Sequence, residues 1–250
     1  MNNQLFNYTL HLADNSLIMG HRLSEWSAHA PTLEQDIALS NIALDLIGQS
    51  RNFYQYAALM TGNGATEDTL AYMRDADEFK NILMTELPNG DWAYTVLKLY
   101  LFSSYQYLLY EQLINSKDEQ IAAIAEKSLK EVTYHVRWSS EWVIRLGDGT
   151  EESHKRMEKA VNELWDYTME MFESAGFETD LIKDGISINV SELQTAWSEK
   201  IKAVLTEATL SIPSYHVKHT GGKEGKHTKK LVDLLKEMQH LQRTYPGCEW

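Results

Sequence analysis

The sequence predicts an all-α protein, an up-down bundle of four long helices with additional helices at its C-terminal end. Three observations carry this. Four prolines occur, at Pro31, Pro88, Pro213 and Pro246, and none falls between 89 and 212. Proline breaks helix interiors, so this spacing leaves room for very long helices. Strand-like alternation is nearly absent, ISINV at 186–190 being the one weak candidate. Turn signals at Gly62-Asn63-Gly64, Pro88-Asn89-Gly90 and Gly147-Asp148-Gly149 divide the chain into segments of helical length.

In order, the first helix runs from about Leu5 to His29 and stops at Ala30-Pro31. Thr32, with Gln35 three residues on, opens the second as a capping box, and it continues to Thr61. A short helical connection carries EDTLAYMRD and DEFKNILMTEL. Asp91 caps a third long helix to about Ser116, and a fourth spans Asp118 to Leu146. Thr150 reopens a helix that reaches 174–176, Ser191 caps ELQTAWSEKIKAVLTEATL, and Thr228 to Arg243 is the last helix. No repeat or low-complexity segment interrupts this order, so residues 1–250 read as one helical domain.

Composition narrows the function. A net charge of −13 disfavours nucleic acid and anionic membranes, which need a concentrated basic face. No apolar run is long enough to span a bilayer, and MNNQLFNYTLHLADN lacks the basic and apolar regions of a secretory signal. The single cysteine, Cys248, excludes an intrachain disulfide framework and fits a reducing cytoplasm. The sign of the charge reverses locally. Between His216 and Lys236 lie Lys218, Lys223, Lys226, Lys229, Lys230 and Lys236 against Glu224 and Asp233.

The second helix is apolar nearly all round, through Ile37, Ala38, Leu39, Ile42, Ala43, Leu44, Leu46 and Ile47, and therefore reads as buried on most sides. Its polar residues Asn41, Asp45, Gln49 and Asn52 form a narrow stripe that asks for partners on neighbouring helices. The third helix is rich in aromatic residues (Tyr94, Tyr100, Phe102, Tyr105, Tyr107, Tyr110), as is the fourth (Tyr134, Trp138, Trp142), which suggests a partner subunit as well as a core, a core with ordinary exposed tyrosines being the alternative.

A polar layer inside a four-helix bundle raises the question of metal. Carboxylate di-iron bundles take one Glu from each of two helices and a Glu-x-x-His pair from each of two others, the i,i+3 spacing aiming both ligands inward. The first helix offers Asp14, His21, Glu25 and His29. On the second, Asp45 is followed at i+3 by Gly48 and no histidine occurs. The third has no carboxylate between Trp92 and Tyr110, and on the fourth Glu131 is followed at i+3 by Tyr134, with His135 one position late. Glu151–His154, Glu224–His227 and Glu237–His240 have the spacing but lie outside the long-helix pairs. Glu25, Asp45, Glu131 and His135 thus read as a hydrogen-bonded polar layer. Glu131 and His135, one turn apart, are expected to pair directly, so that replacing Glu131 with Gln alters stability. A di-iron site and a mononuclear site from Glu25, Glu131 and His135 are the alternatives. The loop TGGKEGKHT (220–228) combines glycines, which open the backbone N–H groups to an anion, with lysines. Lys223, Lys226, Lys229 and Lys230 are its candidate contacts to coenzyme A phosphates or an acidic surface, a solvated loop being the alternative.

The segments LADNSLIMGHRLSEWSAHAPTLEQDIAL (12–39), ALSNIALDLIGQSRNFYQYAA (38–58), LKEVTYHVRWS (129–139) and HTGGKEGKHT (219–228), together with the ending PGCEW, resemble the structural, non-catalytic subunits of bacterial phenylacetyl-CoA 1,2-epoxidases. The resemblance covers essentially the whole chain. It implies a ferritin-like fold and a hetero-oligomer in which a homologous catalytic subunit holds the di-iron centre and a separate reductase supplies electrons from NADPH. The implied reaction converts phenylacetyl-CoA to its ring 1,2-epoxide in phenylacetate degradation. The catalytic homologue's ligand pattern meets Asp45/Gly48 and Glu131/Tyr134 here, which implies no cofactor in this chain. An independent ferritin-like metal-dependent oxidoreductase and an acyl-CoA-binding module are the competing readings.

Overall fold

The computed structural model describes residues 3–62, 64–214 and 217–248. Asn63, His216 and the terminal Glu249-Trp250, each part of a feature noted above, lie outside the described residues. Four long helices form the bundle: α1 (Asn3–Ser24), α2 (Leu33–Thr61), α5 (Trp92–Leu113) and α6 (Glu119–Gly147). Between the second and the third come α3 (Glu67–Tyr72) and α4 (Leu83–Glu86). After the fourth come α7 (Glu151–Trp165), α8 (Gly176–Asp184), α9 (Leu193–Glu207), α10 (Lys229–Met238) and α11 (His240–Thr244).

Side-chain pairings fix the direction of each helix. Gly20 lies against Ala43 and Leu46 while Asp14 meets Tyr54, so α1 and α2 are antiparallel. Trp26 bonds Thr95 while Ser16 meets Gln106, so α1 and α5 are antiparallel too. The 62–91 link therefore crosses the bundle, and α5 runs parallel to α2. This is two hairpins joined by a long crossover. One continuous apolar core runs through them, from Leu12 and Ile18 through Leu46 and Phe53 to Leu99, Phe102 and Val132. No helix among the described residues is long and apolar enough to cross a membrane.

Several ends lie where the side chains dictate. Asp91 and Asp118 cap α5 and α6 by accepting the Tyr94 and Ile121 N–H groups, and Thr150 with Ser153 forms a capping box for α7. Other expectations change. The first helix stops at Ser24, not His29, because Trp26 leaves the helix to donate its indole N–H to Thr95 (2.9 Å) and to pack edge-on against Trp92. Thr32 precedes α2 in extended conformation without a side-chain cap. The helix from Thr150 ends at Trp165, since the chain turns to send Glu170 inward. Segment 186–190 forms no strand. The next helix begins at Leu193 after a 3₁₀ turn, with Asn189 rather than Ser191 as the local cap. The last helix is divided into α10 and α11.

The two central helices exchange the roles expected of them. The aromatic α5 is enclosed by its own chain, packed against α6, α7 and α9, and Tyr100, Phe102, Tyr105 and Tyr110 are buried. The apolar α2 keeps one face uncovered, with Leu33, Ile37, Leu44 and Leu59 all exposed, Leu59 to 81%. At the joint of α1, α5 and α6, Trp26, Trp138 and Trp142 surround Trp92 at centroid distances of 5.3, 6.0 and 5.9 Å, all edge-on.

Candidate functional site

The inward polar residues of the four long helices meet in one layer. From α1, Ser16 lies 3.4 Å from the amide of Gln106 on α5, which also reaches the Tyr110 hydroxyl at 3.4 Å. Tyr110 donates to Gln49 Oε1 on α2 at 3.4 Å, and Gln49 Nε2 donates to Glu131 on α6 at 2.9 Å. The layer thus crosses all four helices through neutral hydroxyl and amide groups and ends on one half-buried carboxylate. Burial, against the opposing bonds of Ser16 and Gln106, pushes the Tyr110 phenol up to about 12.

One turn away, His135 is fully buried, and its Nε2 lies 3.0 Å from Asp45. The direct Glu131–His135 pair expected from helical spacing is therefore replaced by two contacts to α2. Gln49 takes Glu131 and Asp45 takes His135. A glutamine at 131 keeps an acceptor for the Gln49 amide, so Glu131→Gln is expected to change stability by about 1 kcal/mol or less. Gln49→Leu deprives both Tyr110 and Glu131 of a partner and is expected to cost about 1–3 kcal/mol, measured by urea denaturation.

The remaining candidates are dispersed. Gly48 faces open space, with nothing within 4 Å of a Cβ built there, and Tyr134 is 39% exposed. Glu25 lies beyond the end of α1, held by Arg22 (2.7 Å) and Asn89 (3.1 Å). Asn89 and the Leu87 carbonyl also hold Lys98, whose ammonium is brought down to about 7 by burial and by nearby Arg22. His29 sits in an exposed turn. Asp14 is fully buried, gripped by both terminal nitrogens of Arg74, the Tyr54 hydroxyl and the Lys80 N–H. Among the described residues, no three His, Cys, Asp or Glu side chains converge on a point where a metal ion would sit.

The glycine–lysine loop binds carboxylates, and they belong to the chain itself. Glu170, 2% exposed, accepts the N–H groups of Gly221 (2.8 Å) and Gly222 (2.7 Å) on one oxygen and that of Leu83 (2.6 Å) on the other. Burial raises its pKa against those three bonds. Lys223 is 4% exposed, with its ammonium on Glu178 at 2.9 Å and on the Glu173 carbonyl at 2.8 Å. This buried pairing takes Lys223 out of the set available to an external anion. Lys226 pairs with Glu224 at the surface, and Lys229 and Lys230 are exposed. Of the three Glu-x-x-His matches, His227 turns inward to Glu86, while His154 lies over the Gly147 carbonyl and Glu237 and His240 are exposed. Glu86, Glu170 and Glu178 escaped notice in the sequence because each lies on a different short element, with no spacing to join them.

Comparison with known proteins completes the picture. Residues 1–250 match the family described as Phenylacetic acid catabolic protein, whose fold is ferritin-like, in agreement with the two-hairpin bundle. The chain is 46% identical over 248 residues, 99% of its length and 100% of the relative's, to a subunit of the 1,2-phenylacetyl-CoA epoxidase of Escherichia coli (strain K12). The bundle, its polar layer and the length of the match lead to one assignment: this chain belongs to the phenylacetic acid catabolic protein family.

Proposed function

We propose that this chain is the structural subunit of a phenylacetyl-CoA 1,2-epoxidase, one that stabilises and orients a homologous di-iron catalytic subunit and carries no metal itself. The name of the Escherichia coli relative supports the complex and its substrate. The observation that carries the non-catalytic role is the polar layer. Its donor set does not fit a dinuclear centre, because Glu131 accepts the Gln49 amide, Asp45 is engaged by His135 and Glu25 is held at the end of the bundle. Ser16, Gln106 and Tyr110 offer neutral oxygens where such a centre needs carboxylate and imidazole. The complex takes its electrons from NADPH through a separate reductase.

The uncovered face of α2 supports the pairing. Leu33, Ile37 and Leu44 are more than half exposed on one helix, and Tyr134 of the neighbouring α6 is partly exposed. The test is elemental analysis of the purified chain, alone and coexpressed with the catalytic subunit. Iron is expected only in the coexpressed complex, and stoichiometric iron in the isolated chain would overturn the proposal. Leu44→Glu is expected to weaken copurification of the two subunits by tenfold or more, while leaving the melting temperature of the isolated chain unchanged.

A further inference from the structure

Three buried carboxylates fasten segment 220–228 to the bundle, and one of the groups they hold is a histidine. Glu170 holds the Gly221 and Gly222 amides, Glu178 holds Lys223, and Glu86 holds both His227 and the Thr228 N–H (2.7 Å). The His227 side chain is 2% exposed and Glu86 fully buried. Both ring nitrogens of His227 face acceptors: Nδ1 lies 2.8 Å from Glu86 Oε2, and Nε2 lies 2.9 Å from the Phe79 carbonyl. A neutral imidazole has one N–H and can serve one of these acceptors. Only the imidazolium, with two, serves both. Immediately after it, Thr228 caps α10 by accepting the Lys230 N–H.

We propose that segment 220–228 is a proton-operated clasp, which fastens the start of α10 to the bundle while His227 carries two ring protons and loosens it when His227 loses one. The end of α10 and α11 are held separately, by Gln239 on the Ala71 and Arg74 carbonyls and by Arg243 on the Arg74 carbonyl and Asp75. Burial alone would lower the His227 pKa, but Glu86 and the Phe79 carbonyl outweigh it and raise it above the ordinary value. The charged groups that act on it are Glu86 from α4 and, farther off, Asp14 from α1. Arg22 of α1 reaches the clasp only through the Glu86 and Lys230 carbonyls. A raised folded-state pKa means that the clasp contributes fully below about pH 6.5 and weakens as pH rises through the His227 value. His21, which faces Glu25 and Glu237, is shifted the opposite way by burial and titrates below that window.

The experiment is amide hydrogen exchange on the full chain between about pH 6 and pH 9, corrected for the intrinsic pH dependence of exchange. The opening constant of the start of α10 is expected to rise up to about tenfold per pH unit above about 6.5 and then level off, while α5 shows no such rise. In His227→Gln, the start of α10 is expected to be open already at the low end and its profile flat. A flat profile in the parent chain, or the parent's rise persisting in the variant, would overturn the clasp. Should the variant not fold, nitrogen NMR of histidine in the parent chain decides. Two ring protons on His227 at about pH 6.5 support it, and a single neutral tautomer there refutes it.

Discussion

Gly222→Ala is expected to destabilise the chain by about 3 kcal/mol or more, lowering the melting temperature by roughly 6–12 °C. A Cβ at this position would lie 2.2 Å from the Asn81 carbonyl oxygen and 3.1 Å from the Leu83 nitrogen. Both are backbone atoms, and neither can rotate away. The Gly222 amide is simultaneously committed to Glu170, as is the Leu83 amide, so separating the two segments breaks the bonds that satisfy a buried carboxylate. The loop cannot retreat without orphaning Glu170, and it cannot stay without a clash. A circular-dichroism melt of the variant within about 2 °C of the parent would contradict this packing.

The second large effect is expected at Arg74. Its guanidinium bridges Asp14, the Tyr54 hydroxyl and the Glu78 carbonyl, and lies over the Phe79 ring at 4.2 Å. Burial works against the Arg74 charge, but Asp14 beside it overcomes this and raises its pKa. Arg74→Met keeps much of the apolar stem while leaving Asp14 without its countercharge in a site closed to water. Removing one member of such a buried pair costs about 3–5 kcal/mol. The Asp14→Asn/Arg74→Met double variant leaves no charge stranded and is expected to recover a substantial part of that loss. A double-mutant cycle by urea denaturation measures the difference, and purely additive losses would count against the pair as described.

The four long helices were legible because their boundaries are local. Asp91, Asp118 and Thr150 each cap the helix that begins beside them, and proline is absent in between. The end of α1 was not, because Trp26 leaves the helix for Thr95, which is 69 positions away. The same limit explains the exchange between α2 and α5. An apolar circumference tells how much of a helix avoids water, but not whether its own chain or another covers it. The chain folds α6, α7 and α9 over α5 and leaves Leu44 and Leu59 of α2 bare.

The candidate site divides in the same way. That Glu131 and His135 belong to an inward polar layer follows from helical periodicity. Their partners do not, because Gln49 and Asp45 approach across a helix interface. The glycines and lysines of TGGKEGKHT left an anion contact and a solvated loop both open. The buried carboxylate that the loop does hold was not legible, since Glu170 meets those glycines only after the chain has turned at Trp165.

The tryptophans give these events separate optical addresses. Trp26, Trp138 and Trp142 meet Trp92 edge to face at the joint of α1, α5 and α6, and Trp165 and Trp197 lie together elsewhere, 5.9 Å apart. Residues 217–248 contain no tryptophan. The coupled far-ultraviolet bands of the four-ring cluster therefore report the bundle and ignore α10 and α11. An alkaline titration that leaves those bands still while the start of α10 gains exchangeable amides would display a folded bundle with one end of its tail loosened.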